Sequence, residues 1–335
     1  MRRRLVHTTI VLAAVGFLPL ALEAQRPATT AQTLRTDWGH PDLQGIWDRH
    51  SITPLERPGN VGGREFFTEK EIADLERQAL VTNTDEARQE DKARDVGTAY
   101  NDFWWDRATR VTSKRTSLVV DPADGKVPPL TTEAVGRAKQ ESSRAVGSLG
   151  TGGRGADSPE DRSLWERCIT QGTPRLAAGA YNANMQIIQS PDYVVILHEQ
   201  IHEARIVPLS NRPDLPANLQ LWLGDSRGHW EGDTLVVETT NFSDKTNFRG
   251  STTGLRMVER IRRTDANTLD YKVTFSDPTT WTKPWTVAMP MPKTKGEIYE
   301  YACHEGNYGL KGILAGARME EKEAAAKVRT GSRQP

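Results

Sequence analysis

The string His198-Glu199-Gln200-Ile201-His202 has the form H-E-x-x-H. On a helix, residues four apart share one face, where two imidazoles can hold a zinc ion beside the glutamate as general base. His304 or Glu305 supplies the chemistry of a third ligand. Ser190-Pro191-Asp192 suits the start of such a helix. Ser190 to Tyr193 suits a hairpin turn equally well, and Tyr193 to Leu197 is a β-branched run that favours a strand. Gln200 stands where helices of this zinc-binding pattern carry an apolar residue, and Glu203 puts a charge directly after the second histidine. A polar hairpin tip is the favoured reading. A zinc-dependent hydrolase, with His198 and His202 as ligands and Glu199 as base, is the alternative, and a non-catalytic binding or structural module is the third reading.

Two further clusters carry similar chemistry. One is Asp225, Arg227, His229 and Glu231 around a Gly-x-Trp-Glu-Gly hairpin; the other is His304, Glu305, Asn307 and Tyr308. Histidine beside carboxylate is the usual equipment for acid–base work near neutral pH. The expected roles are His198, His229 or His304 as acid or base, and Glu199, Glu231 or Glu305 as orienting carboxylate. Arg205 or Arg227 would anchor an anionic group. Taken singly, Asp225, Glu231 and Arg205 read as ordinary hairpin and cross-strand ion-pair residues. Taken together, the clusters point to one polar pocket at a barrel mouth that binds a small organic molecule, with lyase, isomerase or hydrolase chemistry within its reach.

Two other features bear on a site. Glu259 shares strand parity with Leu255, Met257 and Ile261, which turns it inward unless a bulge intervenes, and a buried carboxylate needs a partner. Trp104-Trp105 lies between Asp102 and Asp106, as a stacking platform for a ligand or an anchor to the core. No phosphate-binding loop, dinucleotide glycine pattern, nucleophile elbow or Cys-x-x-Cys occurs, which places nucleotide-dependent and redox-relay enzymes low. No cofactor is expected on the favoured reading, and zinc only on the alternative.

The chain has 335 residues, with 44 basic and 44 acidic side chains. Arg2-Arg3-Arg4 followed by an apolar stretch from about Thr8 to Leu22 has the form of an export signal ending at Ala24. Losing Arg2, Arg3, Arg4 and Glu23 with it leaves a nearly neutral chain, with no basic stripe for nucleic acid and no second run fit to cross a membrane. The expected location is therefore periplasmic or secreted. Export makes a Cys168–Cys303 disulfide chemically accessible, with a pair of free thiols as the alternative.

Residues 25–40 read as a flexible leader rich in Ala, Thr and Gln. Residues 41–309 form the expected single domain, interrupted by a long irregular and helical insertion over about 50–182, and 310–335 make a C-terminal helix and tail. Thr68-Glu69-Lys70-Glu71 is a capping box that opens a helix to about Leu80, and a second helix begins near Thr132. Thr116–Val120 reads as a strand. From Met185 the chain turns to short strands: Met185–Gln189, Tyr193–Glu199, His202–Leu209, Gly228–Glu231, Leu235–Phe242, Leu255–Thr264, Leu269–Asp277, Trp285–Met291 and Glu297–Cys303. Successive strands with tight turns predict a mainly β fold, an antiparallel meander that closes into a barrel to remove its edges.

Asp42-Leu43-Gln44-Gly45-Ile46-Trp47, Gly228 to Thr239 (Gly-His-Trp-Glu-Gly-Asp-Thr-Leu-Val-Val-Glu-Thr) and Tyr301-Ala302-Cys303-His304-Glu305-Gly306-Asn307 carry a resemblance. The chain resembles a large group of uncharacterised exported bacterial proteins over most of its mature length. Its Gly-x-Trp opening and the meander behind it also look lipocalin-like. The resemblance implies a compartment and a barrel fold, and it implies no particular activity.

Overall fold

The computed structural model of the protein describes residues 34–82, 107–144, 156–176, 182–210, 213, 215–246 and 248–331. The expected export signal, the first part of the expected leader and the Trp104-Trp105 pair lie outside the described residues. The described residues all belong to one compact unit, Thr33–Pro335.

Period-two alternation decides most of the architecture. Along Thr268–Ser276, the side chains of Leu269, Tyr271, Val273 and Phe275 are buried while Asp270, Lys272 and Thr274 point away. Among the described residues ten strands form on this principle: β1 (Gly45–Asp48), β2 (Val119–Asp121), β3 (Asn184–Gln189), β4 (Tyr193–His198), β5 (Glu203–Pro208), β6 (Asp225–Glu231), β7 (Thr234–Thr240), β8 (Arg256–Asp265), β9 (Thr268–Ser276) and β10 (Trp285–Pro292). Three described α-helices accompany them: α1 (Glu69–Thr82), α2 (Thr132–Arg144) and α3 (Tyr308–Gly331). The expected capping box opens α1, because the Thr68 hydroxyl accepts from the Glu71 amide at 3.2 Å and the Glu71 carboxylate accepts from the Thr68 amide at 2.7 Å.

The strands lie in two antiparallel sheets, ordered β1-β3-β4-β5 and β2-β10-β9-β8-β7-β6. The fold is mainly β, as the sequence predicts. Neither sheet closes on itself, so the closed lipocalin-like barrel is not confirmed. The reason lies at the outer edge of β10. There β2 pairs with Thr286 and Val287, and β1 reaches the same edge only through a bridge from Trp47 to Lys293. At the other seam β5 lies beside β6, where Gly228 faces the side chains of Val207 and Leu209.

Both sheets bury their inner faces in one apolar core that includes Trp47, Met185, Ile196, Val207, Leu235, Met257, Phe275, Trp285 and Met289. Phe275 and Trp285 pack with ring centroids 4.5 Å apart, and Trp281 meets Trp285 edge-on at 5.5 Å. Each large side chain of this kind contributes about 1.5–3 kcal/mol by leaving water. At one end a strap from Pro41 to Leu43 crosses the strands. The buried Gln189 side chain accepts from the Leu43 amide at 2.6 Å and donates to the Pro41 carbonyl at 3.1 Å. Arg263 lies over the Trp47 ring and donates to the carbonyls of Asp42, Asp265 and Ala266.

The expected strand Glu297–Cys303 is not formed; the segment is irregular and then turns. Its Tyr299 amide donates to the Glu199 carboxylate instead of a ladder, and Cys303 is held by a disulfide to Cys168. Among the described residues no helix is long and apolar enough to cross a membrane.

Gly224 precedes β6 at φ +72°, and a Cβ there would come within 2.6 Å of the Thr240 carbonyl oxygen and of Thr239 Cγ2. Gly224→Ala is expected to lower unfolding stability in urea by about 1–3 kcal/mol, the usual cost of a left-handed non-glycine residue. A change below about 0.5 kcal/mol would mean that the turn relaxes freely.

Candidate functional site

Away from the strap, the inner face of the four-stranded sheet turns from apolar to charged and meets a polar band within the six-stranded face, beyond which Met257, Phe275 and Trp285 are again apolar. Antiparallel register sets Trp47, Met185, His198 and Glu203 in one row across β1, β3, β4 and β5. Arg49, two residues beyond Trp47, keeps the same inward parity and is 2% exposed. Arg205 stands two residues from Glu203 on the inner face of β5. From the facing sheet come Thr239 on β7, Glu259 on β8 and Tyr271 on β9, all buried.

The strongest link between the sheets is Arg205 to Glu259. The guanidinium donates to both carboxylate oxygens, at 2.5 and 2.8 Å, and reaches Thr239 Oγ1 at 3.4 Å. Tyr271 donates its hydroxyl to the same carboxylate at 2.8 Å. Burial works against the charge on Arg205, and the adjacent Glu259 more than restores it. Burial and the neighbouring carboxylate push the Tyr271 hydroxyl well above its ordinary range, which keeps it a donor. Glu259 is thus the inward-facing carboxylate that its parity predicts.

A second layer closes over this pair. Arg175 ion-pairs with Glu203, and it donates to Gln171 Oε1 at 2.5 Å and Gln200 Oε1 at 3.3 Å. Thr170 donates its hydroxyl to Glu203. Arg49 donates to the Arg175 carbonyl at 3.1 Å. Burial, then the nearby Arg175, lowers the Arg49 guanidinium to about 10, so it remains charged at neutral pH. His198 sits among Arg49, Arg175 and Arg205. Burial first, and then those three cations, holds its imidazole well below the usual range, so the ring is neutral.

The histidine string is strand, turn and strand. His198 ends β4, Gln200–His202 make a single 3-10 turn, and β5 starts at Glu203. Ile201 and His202 have φ of 61° and 40°, conformations an α-helix excludes. His198 therefore points inward, while His202 is exposed with Nδ1 3.1 Å from the Tyr301 carbonyl oxygen. The shared helical face required by the zinc reading is not formed. Among the described residues no group of three His, Cys, Asp or Glu side chains is placed to hold a metal ion. Glu199 is buried, and its carboxylate accepts from the Asn184 amide at 3.2 Å, the Asn184 side chain at 3.0 Å and the Tyr299 amide at 3.0 Å. It clamps the start of β3 to the C-terminal segment.

Only His198, Glu199 and Arg205 of the expected residues meet at this end. His229 and Glu231 lie on the exposed outer face, 3.3 Å apart, with Arg260 donating to Glu231 at 2.6 Å. Arg227 pairs with Asp225 at 2.9 Å and donates to the Pro213 carbonyl. His304 and Glu305 occupy an exposed turn, and Tyr308 is exposed at the start of α3. Asn307 donates to the Glu166 carbonyl at 3.2 Å and to Cys168 Sγ at 3.3 Å. The three clusters do not merge into one pocket. Arg49, Arg175, Gln200, Glu203 and Tyr271 are the site residues that the sequence reading passed over. Parity from Trp47 would have pointed to Arg49, and parity from Arg205 to Glu203.

No protein-family model, no curated protein and no solved structure matches the chain.

Two measurements follow from this electrostatic arrangement. Glu259→Gln leaves the Arg205 charge buried without its partner and is expected to cost about 3–5 kcal/mol in urea unfolding, whereas Arg205→Met combined with Glu259→Met recovers most of that loss. A single variant within about 1 kcal/mol of wild type would show that Arg205 reaches water. His198 gives a pH signature with a defined sign. Its folded-state pKa lies below the ordinary 6.5, so the unfolded chain takes up the proton first and stability falls as pH drops below about 6.5. The His198→Asn variant is expected to lose this component. NMR titration of wild type should show the His198 ring unprotonated at pH 6; a ring that titrates there refutes the assignment.

Proposed function

We propose that this chain is an exported protein that binds a small organic molecule at the polar end of its two sheets, beside His198, Arg49, Arg175 and Arg205. The observation that carries this reading is a set of four buried polar atoms with no hydrogen-bond partner: Arg49 Nε, Arg175 Nε, Arg205 Nε and His198 Nδ1. Buried polar groups in folded proteins are almost all satisfied, and an unsatisfied group costs about 1–3 kcal/mol. Four such atoms lie on side chains whose charges act on one another, and a polar ligand at this place would satisfy them together.

The wider shape of the fold supports the reading. The two sheets share one core and adjoin at β5–β6 and at Trp47–Lys293, which is an open form of the lipocalin-like enclosure. One end is occupied by the strap; the charged residues gather away from it, on the four-stranded sheet and across to Glu259 of the six-stranded one. The basic and apolar start of the chain, together with the Cys168–Cys303 disulfide, supports export to the periplasm or beyond. His198 is the acid–base candidate at this end, and its neutral ring is in the form that accepts a proton.

The test is thermal-shift screening of the purified, disulfide-bonded mature chain against sugars, aromatic and aliphatic acids, and amines. At least one class is expected to raise the melting temperature saturably, since a ligand that binds only the folded state stabilises it by mass action. The same ligand should shift the NMR signals of the His198 ring. Folded protein that responds to none of these classes overturns the reading.

A further inference from the structure

We infer that the ligand of the polar end is an anion, and that Arg49 is its anchor, taking a carboxylate group on its unsatisfied guanidinium edge. The inference deepens the binding proposal above and rests on it.

The argument is a balance of direct ion pairs among buried groups. Arg205 is matched by Glu259, and Arg175 by Glu203. Glu199 lies near enough to favour the charged form of Arg49, but it makes no ion pair with it and accepts instead from three N–H donors of Asn184 and Tyr299. Asp48 is engaged by the backbone amide and the ring of His50, at 2.7 and 2.6 Å. Arg49, one of the most deeply buried side chains in the protein, has no carboxylate within ion-pair distance among the described residues; its hydrogen bond goes to a neutral backbone carbonyl. A buried guanidinium that stays charged at neutral pH is costly unless an anion lies beside it.

The hydrogen-bonding inventory points the same way. The unsatisfied Nε atoms of Arg49, Arg175 and Arg205 are all donors with no capacity to accept. A neutral sugar hydroxyl or an amine would bring donors of its own into this set. A carboxylate brings only acceptors, and its planar fork matches the side-on edge of a guanidinium. His198, kept neutral by burial and by the three cations, adds no further positive charge, and its Nδ1 is free to serve a second oxygen of the same ligand. The ligand is small, because close-packed Trp47, Met185 and Ile196 lie directly against this layer.

The experiment uses the full mature chain with its disulfide intact. Melting temperature and calorimetric titration are compared for acetate, pyruvate and benzoate against their matched amides, with chloride and phosphate as inorganic controls. At least one carboxylate is expected to bind, with its amide at least about tenfold weaker, the weight of a charge-assisted hydrogen bond. Arg49→Met should abolish that response and, by removing a buried charge that has no direct ion pair, leave the ligand-free melting temperature equal or higher. An Arg49→Met chain that keeps the carboxylate response, or that is strongly destabilised or unfolded without ligand, overturns the inference. Equal protection by chloride or phosphate overturns the carboxylate assignment. If sugars or amines stabilise the protein and carboxylates do not, the anion inference fails and the binding proposal stands. If no compound of any class acts on folded protein, both fail.

Discussion

Arg205 projects from the four-stranded sheet and Glu259 from the six-stranded one, and the two meet inside the protein away from water. A charge in that position has few tolerable arrangements. Once the guanidinium and carboxylate are joined side by side, with the Tyr271 hydroxyl on the same carboxylate, β5 is fixed relative to β8 and β9. An apolar core alone tolerates sliding and repacking between faces of similar shape. A doubly hydrogen-bonded ion pair does not, because a small shift exposes a buried charge to an apolar wall. The register of the two sheets therefore depends on this contact, and the second layer of Arg175, Glu203 and Arg49 is built against it.

The two ends of the strand assembly are finished with different chemistry. At the strap, Gln189 and Arg263 meet backbone groups at four carbonyls and one amide, so polar atoms there are consumed in holding a short segment in place. Beside the strap, His40 Nδ1 and Trp230 Nε1 have no partner; at the other end the four partnerless atoms all belong to charged or titratable side chains that act on one another. That coupling separates His198 from the remaining histidines of the sequence clusters, which stand on exposed surfaces with local partners or none of the interior cations.

Much of the strand pattern was legible because period-two alternation is strong in this chain. Parity turns Glu259 inward when no bulge intervenes, and it is buried, while the strands from β3 to β10 fall within a few residues of their expected bounds. What alternation cannot supply is the partner on another strand, so Arg205 read either as an ordinary cross-strand ion-pair residue or as the anchor of an anionic group, with Glu259 unnamed as its partner. Arg175 lies in an irregular segment with no period to follow. The H-E-x-x-H string was ambiguous for a definite reason: its spacing fits a helix, while the β-branched residues before it and the charges within it fit a hairpin, and the turn at Ile201 settles the matter. The Glu297–Cys303 segment has strand-like composition, but Glu199 and the cystine capture it before any neighbouring strand does. Barrel closure failed for a topological reason invisible in local sequence: β2, from the insertion, occupies the edge that β1 would need.

The cystine has a consequence for when the protein becomes competent. Cys168 lies two residues before Thr170 and seven before Arg175, and Cys303 four residues after Tyr299. The crosslink thus ties the segment that delivers Thr170 and Arg175 to the segment whose amide fills Glu199. Before the thiols are oxidised, these two stretches, which are 135 residues apart in the chain, have no covalent reason to meet. Completion of the polar end is then coupled to oxidation of the two thiols. A chain with both thiols reduced would carry the strands and the core while the segments that bring Thr170 and Arg175 to Glu203 lack their crosslink.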